Sequence, residues 1–165
     1  MTPEKAFDEY HQAVYSFLYR LTRREDIAED ITQECFLALI RAPQRFDQTR
    51  GTMKTYLFSI ARNLALKHYR DYRQEAPLEG QPKQAADPRG TLELRSAVAE
   101  AVAALPQLQQ EALILFAYEG VTLEEIAGIV GADVGTVKSR IHRARERLRR
   151  TLVPYRKAGI KHATP

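Results

Sequence analysis

The chain has 165 residues and a formal net charge of +4, from 25 Lys and Arg against 21 Asp and Glu, and 44% of its residues are hydrophobic. That length allows one domain or two small ones, and the apolar share can bury real cores, which excludes wholesale disorder. The single Cys35 excludes a disulfide framework or a cysteine-built zinc site, and the longest apolar run, Ala112 to Tyr118, is far too short for a membrane span.

Helix signals run the length of the chain and strand signals are nearly absent. Thr2-Pro3 supplies an N-cap followed by proline at the first helical position. The same start, MTPEKAFDEY, carries acids where a secretory leader would have cations and an apolar stretch, so a cytoplasmic protein is expected. Phe7, Tyr10, Val14, Phe17, Leu18 and Leu21 then recur at helical spacing. Asp26 with Glu29 reads as a capping-box start for a second helix, which Ile27, Ile31, Cys35 and Leu39 continue to about Arg41 before Pro43 stops it. The loop PQRFDQTRG leads to a third helix from about Thr52, with Leu57, Ile60, Ala61 and Leu64 on one side.

Composition changes between Gln74 and Gly90, where three prolines, two glycines and little periodicity predict a flexible linker. Its length would span at most about 55–60 Å when extended. A helix from about Thr91 to Leu105 is broken by Pro106, and a further helix from Pro106 to Tyr118 is stopped by Gly120. Thr122 and Glu125 form a T-x-x-E capping box opening a short helix to Val130; Gly131 ends it, and Asp133 caps the next. The expected fold is all-α, two small helical domains over residues 1–73 and 91–165 joined by the linker 74–90.

The charge is unevenly spread. Residues 1–47 sum to −3, 48–73 to +5, 74–133 to −7 and 134–165 to +9. Two basic blocks separated by an acidic one suggest two distinct surfaces for a polyanion.

The second basic block lies in TLEEIAGIVGADVGTVKSRIHRARERLRR. Two short helices with glycine at the corner have helix-turn-helix spacing. Val137, Ile141, Ala144, Leu148 and Leu152 form an inward stripe, and the opposite face carries Thr136, Lys138, Ser139, His142, Arg143, Arg145 and Arg149. Such a face suits a major groove, with cations on phosphates and residues near the helix start on base edges. The alternative, a cationic helix lying on a membrane, lacks aromatic anchors on its narrow apolar face.

The first block, KTYLFSIARNLALKHYRDYR, interleaves Tyr56, Tyr69 and Tyr72 with Arg62, Lys67, His68, Arg70 and Arg73. Aromatic faces beside cations suit unstacked bases on a charged backbone, although tyrosines on a helix more often edge a core.

Together these segments resemble the extracytoplasmic-function class of bacterial sigma factors, the minimal form with regions 2 and 4 only. EDIAEDITQECFLALIR is similar to region 2.1–2.2 and TMKTYLFSIARNLALKHYR to regions 2.3–2.4. ALPQLQQEALILFAYEGVTLEEIAGIVGADVGTVKSRIHRARERLR resembles region 4, with its leucine-proline opening, its E-G-x-T-x-x-E-I-A core and its GTVKSR-x-x-RAR run in order.

The resemblance implies roles. Asp30, Gln33, Glu34 and Leu37 would dock on the clamp helices of the largest subunit of core RNA polymerase, a face that the residues alone would leave as solvated and acidic. The loop from Phe46 and Asp47 to Met53 would capture a flipped base of the −10 element, and Tyr56, Arg62, Asn63 and Lys67 would open and hold that strand. Lys138, Ser139, His142 and Arg143 would read the −35 element, with Thr136 at a phosphate. Family members often carry tryptophan where Tyr56 stands, and this chain has none. Further implied partners are the flap of the second-largest polymerase subunit, promoter DNA and an anti-sigma protein, with no membrane insertion and a monomeric free chain. No cofactor, metal or catalytic residue is expected. The rival readings are an autonomous helix-turn-helix regulator, which would usually dimerise through an apolar face, and an enzyme acting on nucleic acid, for which no motif stands in the chain.

Overall fold

The computed structural model describes residues 1–75 and 90–155. Its helices are α1 (Pro3–Thr22), α2 (Glu25–Arg41), α3 (Met53–Glu75), α4 (Gly90–Ala103), α5 (Gln107–Leu113), α6 (Leu123–Val130) and α7 (Val134–Thr151). A single 3-10 turn, Pro43–Arg45, interrupts the loop before α3, and among the described residues there is no strand.

Local chemistry sets most boundaries. The Thr2 hydroxyl accepts the Lys5 amide at 3.2 Å to start α1, and the Thr52 hydroxyl accepts the Thr55 amide at 3.2 Å to start α3. Both halves of the Thr122–Glu125 capping box form, at 3.2 and 3.0 Å. Gly131 takes φ 68°, and a Cβ there would meet nothing within 4 Å, so left-handed backbone rather than crowding makes glycine the suitable residue.

Two expectations are corrected. Helix α2 begins at Glu25 behind Arg24, with no side-chain cap, because Arg24 takes the Asp26 carboxylate at 2.8 Å. The helix expected from Pro106 to Tyr118 changes its winding: after Leu113 it widens into a π-type turn over Ile114–Tyr118, with the Glu119 amide reaching back five residues to the Ile114 carbonyl at 3.1 Å. Of the linker reading, Gln74 and Glu75 belong to α3 and Gly90 to α4; positions 76–89 lie outside the described residues.

Helices α1, α2 and α3 enclose Val14, Phe17, Leu18, Ile31, Cys35, Leu39, Leu57 and Phe58, all buried. Phe17 and Phe58 meet edge to face at 5.3 Å, and the Tyr69 hydroxyl ties α3 to α1 through the Leu21 carbonyl at 2.7 Å. Helices α4 to α7 enclose a second set, including Ile114, Leu115, Ile126, Val137, Ile141 and Ala144. The two sets are continuous. Helix α3 packs on α6, and α1 on α4 and the π turn, so the halves dock.

The Cys35 thiol donates to the Leu57 carbonyl at 3.4 Å, and burial pushes its pKa up to about 12. A thiol needs its thiolate form to react. At pH 8 Cys35 is therefore expected to resist a maleimide in native buffer and react fully in denaturant, followed by mass spectrometry. Thr122→Ala should lower stability by about 1 kcal/mol, the usual worth of an N-cap hydroxyl, read from urea unfolding.

Candidate nucleic-acid interface

Helix α7 is aimed by its two flanking devices, the left-handed turn at Gly131 and the cap at Asp133. The Asp133 carboxylate accepts the Thr136 amide at 2.7 Å, and that bond holds its pKa below the ordinary carboxylate range. Val137, Ile141 and Ala144 are buried, so the opposite arc faces out. Lys138, Ser139, His142 and Arg143 are exposed together on it, and Thr136 sits half-buried at its edge in the first turn. Two cations placed on this face by the sequence pattern have partners of their own. Arg145 lies over the Phe116 ring at 5.4 Å, and Arg149 donates to Glu146 at 2.8 Å. Glu146 falls within the outward arc at helical spacing from His142 and Arg143. A negative charge there interrupts the outward run of cations after the first turns of α7.

On α3, Tyr56, Asn63 and Lys67 share one stripe by seven-and-four spacing. Asn63 and Lys67 are exposed; Tyr56 is half-buried, its ring 5.4 Å from Phe46 and tilted by 50°. Phe46 is likewise half-buried, at the mouth of the loop. The neighbouring Asp47 closes a local turn, its Oδ1 accepting from the Thr49 amide at 2.9 Å and the Thr49 hydroxyl at 2.7 Å. Those bonds hold the Asp47 carboxyl below its ordinary range.

Arg62 does not join this group. It lies about 120° around α3 from the Tyr56 stripe at 3.6 residues per turn. Its guanidinium donates to both carboxylate oxygens of Glu111 on α5, Nε to Oε2 at 2.8 Å and Nη2 to Oε1 at 3.0 Å. Tyr69 points to the core side, as its bond to Leu21 requires. The Tyr72 and Arg73 side chains lie outside the described residues.

On α2, Asp30, Gln33, Glu34 and Leu37 are all exposed on one face. The sequence reading missed its apolar extension: Ile40, one turn beyond Leu37, is 56% exposed and Leu37 is 43%. The signal was present, since Ile40 falls outside the stripe of Ile27, Ile31, Cys35 and Leu39. Among the described residues no His, Cys, Asp or Glu cluster could hold a metal ion, and no helix is long and apolar enough to cross a membrane.

Residues 6–75 match the family model Sigma-70 region 2, and residues 95–148 match Sigma-70, region 4. A helical bundle followed by a helix-turn-helix, each with its match, defines a sigma-70-type transcription initiation factor. The chain is 37% identical over 142 residues to the ECF RNA polymerase sigma factor EcfG of Rhodopseudomonas palustris, covering 81% of this chain and 75% of that protein. It is also 37% identical over 145 residues to the ECF sigma factor SigE of Mycolicibacterium smegmatis, covering 82% of this chain but 56% of that longer relative. Among solved structures, the sigma factor RpoE of Bartonella quintana, crystallised with the anti-sigma factor NepR, superposes with a TM-score of 0.79 at 28% identity, covering 90% of this chain and 95% of that one. The chain belongs to the ECF RNA polymerase sigma factors, which direct promoter-specific transcription.

The Asp47 turn gives a titration test. A carboxyl whose folded pKa is depressed stabilises the turn above the unfolded value near 3.9 and loses that contribution only as pH falls through the lower folded value. The Thr49 amide proton shift should therefore titrate with a midpoint below that of an exposed aspartate, measured by NMR.

Proposed function

We propose that this chain delivers core RNA polymerase to promoters with two chemically different surfaces, assigned to residues 1–73 and 91–165, with 74–90 between them. Residues of α7 read duplex: Lys138, Ser139, His142 and Arg143 enter the major groove of the −35 element and Thr136 holds a phosphate. Residues of the first half take single strand: Phe46 and Asp47 line the capture loop, and Tyr56, Arg62, Asn63 and Lys67 hold the opened −10 strand. The α2 face of Asp30, Gln33, Glu34 and Leu37, extended by Ile40, binds the polymerase clamp, and the second half meets the flap. The observation that supports this most directly is the coexistence, in one chain, of an exposed basic arc behind a capped helix-turn-helix and a tyrosine-polar-lysine stripe on a separate helix.

The work is done by binding and not by bond chemistry. Opening DNA costs a few kcal/mol per unstacked step. Stacking on an aromatic side chain returns about 1–3 kcal/mol per base, and cations on the strand backbone add to that. A surface that binds the open strand and not the closed duplex shifts the population toward melting. Tyr56, already set against Phe46 at 5.4 Å, is the stacking platform. Its smaller area than the tryptophan common in the family places more of the capture on Asn63 and Lys67. The chain acts in the cytoplasm and, by the likeness to RpoE held by NepR, is regulated by an anti-sigma partner.

In vitro transcription with purified core enzyme over a genomic promoter library should give starts at a limited promoter set; absence of any start would overturn the reading. Lys138→Ala and Arg143→Ala should each weaken duplex binding. Where the lost contact is to a phosphate, the slope of log affinity against log salt should fall by about 0.9. Replacing Gln33 and Glu34 together should abolish co-purification with core enzyme while circular dichroism stays unchanged.

A further inference from the structure

The contacts between the two halves are sorted by charge. In the polar contacts described between them, the cations come from the first half and the acceptors from the second. Arg62 grips Glu111 through both oxygens at 2.8 and 3.0 Å, Arg20 reaches Glu119 at 3.5 Å, and Lys54 Nζ donates to the Glu119 carbonyl at 2.9 Å. Arg20 also lies over the Tyr118 ring, 4.3 Å from its centroid. The Arg62 side chain is 14% exposed and that of Glu111 is 2%.

This is a poor way to glue two halves permanently. A buried ion pair usually stabilises no better than apolar residues of the same volume, because both charges lose their hydration. It is a good way to build a junction that opens. When the halves part, water takes back both charges, while the apolar contacts that also cross the junction are exposed. The pair also has the chemistry of the ligand assigned to α3. A guanidinium fork takes carboxylate and phosphate in the same two-pronged manner. Glu111 thus occupies on Arg62 the place that a backbone phosphate would need.

Reach points the same way. The −35 and −10 elements are named for positions about 25 base pairs apart, or about 85 Å of duplex at 3.4 Å per step. Helices α3 and α6 are in contact here. The docked halves cannot serve both elements at once.

We propose that the second half carries an acidic clasp, Glu111 with Glu119, that docks on Arg62, Arg20 and Lys54 as an internal mimic of the nucleic-acid strand and holds the free chain shut until polymerase or promoter displaces it. This rests on the assignment of Arg62 to the opened strand. The clasp covers the Arg62 edge of α3 and leaves the α7 arc exposed, so strand binding is suppressed and duplex reading is not.

The test uses the full chain with spin labels on Glu29→Cys and Arg147→Cys, both exposed sites, the buried Cys35 staying unlabelled. The expected wild-type result is one narrow distance distribution. Glu111→Arg, which sets like charges face to face, should lengthen and broaden it, and Arg62→Glu with Glu111→Arg should restore it. Glu111→Gln, which keeps the shape and removes the charge, should move in the same direction to a smaller extent and covers the case in which Glu111→Arg misfolds. Glu111→Arg should bind a fluorescent single-stranded −10 oligonucleotide at least about tenfold tighter than wild type, the factor that corresponds to 1.4 kcal/mol of lost competition. Glu93→Arg, an equal change of net charge at an exposed site, should gain far less. A broad wild-type distribution, or distances unmoved by both Glu111 variants, overturns the clasp. Strand affinity in Glu111→Arg no greater than in Glu93→Arg overturns its inhibitory role. A chain that closes as described yet starts no transcription would leave the clasp standing and remove the promoter assignment instead.

Discussion

Between the two halves of the molecule a guanidinium and a carboxylate face each other almost out of water, the most buried ion pair described at a junction that apolar packing also holds. Removing one partner of a buried pair commonly costs about 3–5 kcal/mol, because the other charge is left stranded in a poor solvent. Here the stranded charge has an escape, since Arg62 and Glu111 sit on separate halves that can part. The loss is therefore paid as opening and not as unfolding. The neighbouring contact is weaker by every measure: Arg20 is 37% exposed and stands 3.5 Å from Glu119. Burial raises the Glu119 pKa, outweighing the opposing pull of Arg20 and Lys54. Arg62 and Glu111 form the shorter and more buried pair of the junction.

The π-type turn after Leu113 explains how one helix presents both acids. Glu111 and Glu119 are eight residues apart, which in a straight α-helix would turn them about 80° from each other. A π turn takes an extra residue per turn, so Ile114–Tyr118 winds the chain back and brings Tyr118 and Glu119 toward the side that Glu111 already faces. The glycine-ended turn, with the Val121 amide reaching six residues back to the Leu115 carbonyl at 3.0 Å across Gly120 at φ 64°, then turns the chain directly into the capped start of α6. The helix-turn-helix and the clasp are thus built from one continuous stretch of backbone.

What could be read from the sequence divides along the same line. Thr2, Thr122, Gly131 and Asp133 act on residues no more than five positions away, and each was legible. So was the inward stripe of α7. Asp26 was misread because its own near neighbour Arg24 competes for the carboxylate, a contest that spacing alone does not decide. Arg62, Tyr69 and Arg145 have partners in Glu111, Leu21 and Phe116, far along the chain, so no local pattern tells a cation reserved for a polyanion from one already engaged. The π turn escaped for a related reason, since ILFAY is an ordinary apolar helical segment and only its surroundings show the extra residue in the turn.

The unequal fate of the two basic surfaces follows from their position behind or beside the acidic segment. Helix α7 packs on α5 and α6 with its apolar stripe, so those helices stand between it and the first half, and Lys138, His142 and Arg143 are exposed on its far side. Helix α3 meets the other side of the same layer and has one edge engaged by it. A chain that carries two polyanion-binding surfaces and an acidic stretch between them will neutralise whichever surface the acidic stretch can reach, because a guanidinium answers to geometry and charge and not to whether the oxygens belong to carbon or phosphorus. In this protein that is the α3 surface proposed to hold single strand. Under the proposed roles the α7 arc is available from the start and the Arg62 edge of α3 only once the halves separate, an order that matches the order in which a promoter offers first an intact groove and then exposed bases.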